Sequence, residues 1–379
     1  MNAPAPLATY ASPQKTPASM WSSIRILAFP VLTNVWLLLL YVSQKAFVLP
    51  GLVLVGAGDA AYRRDLMTAL FVSVVSLLVY VTQYANSYDQ VHLLGFLFFA
   101  WSMPLINHAI RYDPILLRRV LTYFTVFNAA MGFYLLYTNI DLYGLRGLNK
   151  IEDSVGTTQR VYFESASMAA VILLSSFRNR AVKIAALTLV IAFVLFVAKS
   201  VVVIALLGLN LAWPYFLRSS PHVKVGAAIF AVFAAVLLYK YLFVIRPDIE
   251  LSLLVKQWQL DVIIGLLGGS WSGFGWGFFI PQLASDRAQP YQIEMQLPLL
   301  VLQVGPIALI AILVSTLALF LSAAEQRLMG FVRFAAYALI GFNNPWLFLP
   351  SWYLTCQLLF RDDNDPDQVR NGEAQQQIR

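Results

Sequence analysis

Apolar runs close to twenty residues long recur along most of the chain, and this repetition limits the folds open to it. A helix rising 1.5 Å per residue needs about 20 apolar residues to cross roughly 30 Å of hydrocarbon. Such runs fall at about 26–44, 46–60, 66–85, 91–110, 115–138, 163–177, 183–198, 200–217, 225–245, 294–320, 328–343 and 345–360. Barrel strands would alternate apolar and polar residues, and each unpaired backbone group in lipid costs several kcal/mol, so the runs predict helices. Composition agrees: 59% of the 379 residues are hydrophobic and 12% are charged, against about 25% charged in a soluble domain. The expectation is an all-α, polytopic transmembrane helical bundle of about 12 spans, not a water-soluble enzyme.

Charge sets the orientation. With the amino terminus inside, 17 cations fall on the inner side, among them Arg63, Arg64, Arg111, Arg118, Arg178, Arg218, Arg327, Arg333 and Arg361, and 9 on the outer side. That split obeys the positive-inside rule and places both termini in the cytoplasm. The net charge of +7 is spread between apolar runs rather than gathered in a patch, which argues against nucleic acid. Residues 1–22, rich in Ala, Pro and Ser, read as a disordered cytoplasmic tail followed by a retained signal-anchor, and 361–379 as a second tail. The transmembrane domain is then 23–360. Cys356 is the single cysteine, so the chain holds no internal disulfide and no cysteine-based metal site.

Two outer loops, 139–162 and 246–293, are long where most others are short, which points to function. Within the second, 259–280 is apolar enough to span. Its six glycines between Gly265 and Gly277, and Asp261 near its start, predict instead an interfacial helix and a glycine-rich turn on the outer leaflet.

Charges inside hydrocarbon cost at least about 2.5–3.5 kcal/mol and are kept for a reason. None falls near a midplane in this map. Arg160, Glu164, Lys199, Lys240, Arg246 and Glu294 sit instead at the outer ends of helices. Arg146, Lys150 and Arg160 share one loop, and Arg160 and Glu164, four residues apart, form either a structural pair or part of a phosphate site. Lys199 either reaches lipid phosphates or points at a substrate diphosphate beside the amino end of the following helix. Glu294, after Tyr291, is either a dipole partner of the next helix or a general base. Gly273, Gly275 and Gly277 suit tight turns carrying packed aromatics, since no βαβ unit surrounds them. His92, His108 and His222 lie far apart, and no metal-ligand spacing, HExxH, GxSxG or P-loop is present. No metal or other cofactor is expected.

Four segments in order carry a family resemblance: TTQRVYFESASMAAVIL (157–173), AKS (198–200), GFGWGFF (273–279) followed by YQIEMQLPLLVLQVGPIALI (291–310), and GFNNPWLF (341–348). Together they resemble the Wzy-type bacterial polysaccharide polymerases, relatives of the O-antigen ligases, over about residues 115–360. The resemblance implies a GT-C-like glycosyltransferase of the bacterial inner membrane with its active site on the periplasmic face. It would transfer a growing glycan from undecaprenyl diphosphate to the non-reducing end of a new lipid-linked repeat unit. Arg160, Lys199, Arg246 and Arg146 would hold the diphosphate, Glu294 or Glu164 would be the base, and Tyr291, Tyr162 and Trp276 would contact the glycan. Implied partners are the lipid-linked oligosaccharide, membrane lipids, a flippase and a chain-length regulator. The 246–293 loop lacks the histidine of the ligases, which favours a polymerase, and its few arginines favour exopolysaccharide or capsule over O-antigen.

Three other readings stay open: a ligase-like glycan transferase, a flippase of lipid-linked oligosaccharide, and a membrane scaffold. Transporters place polar or broken helices at the midplane and carry repeats. The sequence predicts neither here.

Overall fold

The computed structural model describes residues 60–84, 90–112, 114–138, 148–152, 159–163, 165–245, 249–267, 272–278, 280, 295–342 and 347–361. The expected span 26–44, most of the next, and both expected tails apart from Arg361 lie outside the described residues. Six described helices are long and apolar enough to cross a membrane. They are α1 (Ala60–Thr82), α2 (Gln90–Tyr112), α3 (Pro114–Thr138), α4 (Arg180–Ala192, extended by a π turn over Phe193–Val197), α5 (Val201–Arg218) and α8 (Gln296–Ala323). Four more complete the order: α6 (Pro221–Ile245), α7 (Ile249–Leu267), α9 (Arg327–Phe342) and α10 (Pro350–Leu358). The helical, membrane-protein class stands. The count of twelve spans is not reached among the described residues.

The burial pattern of α1 is that of a helix in lipid. Leu70, Phe71, Leu77, Leu78 and Val81 are exposed, while Tyr62, Asp65, Ser73 and Ser76 are buried. Apolar side chains gain nothing by leaving lipid for a bundle interior, so small and polar residues occupy the helix contacts. Ser73 and Ser76 remain satisfied because each hydroxyl donates to the carbonyl four residues back, at 2.9 and 2.8 Å.

Antiparallel packing of α1 on α2 gives the bundle two chemically distinct ends. At one, Arg111 donates to Asp65 at 2.8 Å; at the other, Gln83 donates to Ser272 at 2.9 Å. The two contacts are about 27 Å apart along α1 at 1.5 Å per residue, close to the hydrocarbon thickness. Arg111, Arg118, Arg333 and Arg361, all assigned to the inside by charge, are joined through their contacts at the first end. The charge rule assigns this end to the inside, and it is named the inner end; the glycine-rich turn lies at the opposite, outer end.

Three expectations need correction. Residues 163–177 are not an α-helical span. They form two short 3-10 segments, Ala166–Val171 and Leu174–Ser176, running antiparallel to α3 from Gly132 down to Arg118. Small residues (Ala166, Ser167, Ala169, Ala170) let this strand of chain sit buried between helices. Irregular backbone is tolerated at membrane depth when protein surrounds it, and α3 supplies the missing partners: Thr122 accepts from Leu173 N–H at 2.7 Å. The expected span 345–360 reduces to α10, nine buried residues, or about 13 Å of helix. Finally, Arg361 belongs to the bundle and not to a tail, since it is buried and bonds Gln357 O, Ala323 O and Glu325.

α8 breaks where no break was expected. Gly305 has φ 78 and ψ 160 inside it, followed by Pro306. A proline lacks the N–H that would continue the ladder, and glycine alone adopts that backbone without strain.

Candidate functional site

The outer-loop segment carrying Arg160 is a short antiparallel hairpin, β1 (Leu148–Glu152) and β2 (Gln159–Phe163), with Ile151 opposite Arg160 and Asn149 opposite Tyr162. The sequence reading gave a loop here and missed the strands. Val161 and Phe163 are buried. Phe163 packs on Phe193, the first residue of the π turn, with ring centroids 5.6 Å apart. Gly132 on α3 makes room for both rings, because a Cβ there would collide with Phe193 and meet Phe163 at 3.2 Å. Sequence alone gave Gly132 no signal beyond being a glycine in an apolar run.

The π turn widens the end of α4. Ala198 N–H donates to Phe193 O at 2.8 Å and Ser200 N–H to Val194 O at 3.0 Å. Lys199 then takes a left-handed conformation, φ 50, which costs a residue with a side chain roughly 1–2 kcal/mol relative to right-handed backbone. α5 begins two residues later at Val201, so its amino end, with unpaired N–H groups and the positive end of its dipole, adjoins Lys199. π turns and non-glycine residues at positive φ both concentrate at functional sites. The strand bearing Arg160 thus packs, through Phe163, on the π turn that precedes Lys199. Arg146, Glu164, Arg246, Tyr291 and Glu294 lie outside the described residues. For Arg160 and Tyr162 only the backbone positions are described.

Immediately below the hairpin, Asn128 on α3 donates to Ser165 Oγ at 3.1 Å. Asn128 Oδ1 and Thr125 Oγ1, one turn apart on the same face, are buried without hydrogen-bond partners.

The glycine-rich turn is as expected in conformation but not in place. Gly273, Gly275 and Gly277 all have positive φ, yet the turn enters the bundle instead of lying on the leaflet. It fills the break in α8: Phe274 N–H donates to Leu302 O at 2.7 Å and Gly275 N–H to Gln303 O at 2.9 Å. Gln303 returns a bond to Phe278 O at 3.0 Å and meets His92 Nε2 at 3.1 Å. Thus the carbonyls released by Gly305 and Pro306 are satisfied by the loop, as buried backbone requires. Trp276 is the anchor. It is fully buried, donates from its indole to Ser76 O at 3.0 Å, and packs at a tilt on Phe96 with ring centroids 4.8 Å apart. As a core residue it presents no face to a glycan in this conformation, contrary to the sugar-contact role expected of it.

A second polar cluster, missed by a reading that looked for charges at the outer boundary, lies at the inner end. Asn107 donates to Asp65 at 3.2 Å and to Leu319 O at 2.9 Å, and accepts from Tyr353 at 2.9 Å and Gln357 at 3.0 Å. Beside it, Arg333 and Arg361 converge on Glu325 at 3.0 and 2.6 Å. Arg333, Arg361 and Arg118 also donate to carbonyls at the carboxyl ends of α10, α8 and the 3-10 segment: Leu359, Ala323 and Val171. Cations there meet both unpaired carbonyls and the negative dipole ends. Burial raises the Glu325 carboxyl, but Arg361 and Arg333 outweigh it and hold it below the usual range. Burial, then the neighbouring Arg333, lowers Arg361 to about 9 despite Glu325. The cluster's visible work is to tie helix ends together. No group of three or more His, Cys, Asp and Glu suited to a metal ion occurs among the described residues.

Comparisons with known proteins add no relative: no family model, no curated protein and no solved structure matches this chain.

Proposed function

We propose that the protein is a metal-independent glycosyltransferase of the bacterial inner membrane. In this reading it polymerises lipid-linked oligosaccharide repeat units at the periplasmic face, in a GT-C-like bundle of about twelve spans. The growing glycan leaves undecaprenyl diphosphate and joins the non-reducing end of the next repeat. Such a transfer needs cations on the departing diphosphate and a base on the acceptor hydroxyl. Arg160 and Lys199, with Arg246 and Arg146, take the first role; Glu294, or Glu164, takes the second; Tyr162 and Tyr291 contact the glycan. The acceptor proton passes to the carboxylate as the new glycosidic bond forms, and the lipid diphosphate departs with the bonding electrons.

One observation carries this reading: the hairpin strand of Arg160 packs, through Phe163 and Phe193 at 5.6 Å, on the π turn that leads to Lys199. Two cation-bearing segments 39 positions apart in the sequence are thus joined by one packing contact, and the second leads into the amino end of α5, a feature suited to a diphosphate. A transport reading, flipping of a lipid-linked oligosaccharide, draws on the break in α8 at Gly305 and Pro306, since discontinuous helices often line transport sites. Here the inserted loop 272–278 caps that break, which leaves the polymerase reading ahead.

The test is glycan chain length in cells carrying Arg160→Ala, Lys199→Ala or Glu294→Gln, with membrane insertion checked by immunoblot. Removing a charge-assisted bond worth roughly 1.5–3 kcal/mol lowers polymer yield about tenfold to a hundredfold, and single lipid-linked repeats accumulate. Normal chain lengths in all three variants would overturn the assignment.

A further inference from the structure

At the inner end, Arg111 approaches Asp65 with one nitrogen only. Nη1 lies 2.8 Å from Asp65 Oδ2, while Nε and Nη2 are buried without hydrogen-bond partners. Nε–H and Nη2–H share one edge of the planar guanidinium, and that two-donor fork is the geometry that matches carboxylate and phosphate oxygens. A third donor stands close by in the fold. The Tyr62 hydroxyl, on a residue 1% exposed, has no partner either. Tyr62 lies one turn from Asp65 on α1, and its ring meets His108, one turn from Arg111 on α2, at 5.4 Å. Desolvated donors without acceptors cost about 1–3 kcal/mol each, more when charged, so three on adjoining turns of two helices call for an acceptor. Arg111 retains 22% side-chain exposure, so its side chain lies near the rim of the bundle, with Nε, Nη2 and the Tyr62 hydroxyl covered.

We propose that the inner ends of α1 and α2 form a phosphate-binding site. The Arg111 Nε/Nη2 edge grips two phosphate oxygens, Tyr62 supplies a third bond, and Asp65 holds the guanidinium in place through Nη1. The ligand chemistry is a phosphate monoanion or diester, either the headgroup of an inner-leaflet anionic lipid or phosphate itself. This site is at the opposite end of the bundle from the proposed transfer site and does not depend on the polymerase reading.

The experiment is thermal unfolding of the full chain in uncharged detergent, with three additions compared at constant ionic strength: dioleoyl phosphatidylglycerol, the matching diacylglycerol, and inorganic phosphate. The expected result is a rise in Tm with phosphatidylglycerol and none with diacylglycerol. Arg111→Lys keeps the charge and the contact to Asp65 but lacks the fork, and it loses at least half of the rise. A rise with inorganic phosphate that depends on Arg111 equally supports the site and assigns it to the soluble anion. If Arg111→Lys does not fold, Tyr62→Phe, which removes only an unpartnered hydroxyl, carries the same comparison. No rise with either phosphate source, as for a site filled by water, or an equal rise in the tested variant and the parent protein, overturns the proposal.

Discussion

Lys199 separates a structural from a chemical role. Its left-handed backbone is strained, so Lys199→Gly relieves roughly 1–2 kcal/mol, though glycine's freedom in the unfolded chain returns about 0.5–1 of that. The expected outcome is unchanged or slightly raised Tm together with loss of long glycan. A lysine that only anchors to lipid would leave the glycan normal. Gly273 gives the opposite case. Its φ is +79, and a Cβ would meet Gln303 O at 2.5 Å and Gly305 N at 2.6 Å, so Gly273→Ala expels the loop from the α8 break. Two backbone bonds are then lost and Trp276 leaves its core position, which lowers stability by about 3–5 kcal/mol, measurable as a fall in Tm. Lys199 and the three glycines were legible in the sequence because a cation at a helix junction and closely spaced glycines in an apolar stretch are both anomalous. Gly132, Asn128 and Gln303 were not, since each matters only through a neighbour distant in sequence.

At the level of elements, helix existence was largely legible and helix type was not. The runs at 66–85, 91–110, 115–138 and 200–217 correspond closely to α1, α2, α3 and α5. The run at 163–177 has the hydropathy of a span, but its small residues and the hydroxyls facing it from α3 let a 3-10 path form. Hydropathy measures affinity for lipid and is blind to which backbone geometry satisfies the carbonyls. The inner arginine cluster is likewise an element-scale device: Arg333 and Arg361, paired with Glu325, close the ends of α10 and α8, and Arg118 closes the 3-10 segment. Glu325→Gln leaves Arg333 and Arg361 without their counter-charge and is expected to cost about 1–3 kcal/mol. That is below the range for a fully buried pair, because Glu325 is 33% exposed. Glu325 has a lowered pKa when folded, so its contribution is complete above its unfolded value and disappears as pH falls through the folded one. Tm of the parent protein therefore drops on acidification below about pH 4.5, and the Glu325→Gln variant lacks that component.

For the whole molecule, charge predicts an orientation, and the bundle gathers Arg111, Arg118, Arg333 and Arg361 at one end of α1 and α2. Labelling with a membrane-impermeant maleimide checks this, because the native Cys356 is buried and stays silent. Ser272→Cys is expected to react in intact cells whose outer membrane is permeabilised, and Ser219→Cys only after the inner membrane is opened. The reverse pattern would turn the protein over and put the proposed site on the wrong face. The most direct measurement of the central claim is reconstitution of the full chain in liposomes with a lipid-linked repeat unit and no other protein. Polymerase activity predicts a ladder of longer lipid-linked products that forms without added metal and shortens with Arg160→Ala. Repeat units that cross the bilayer without lengthening, or that remain single and in place, would contradict it.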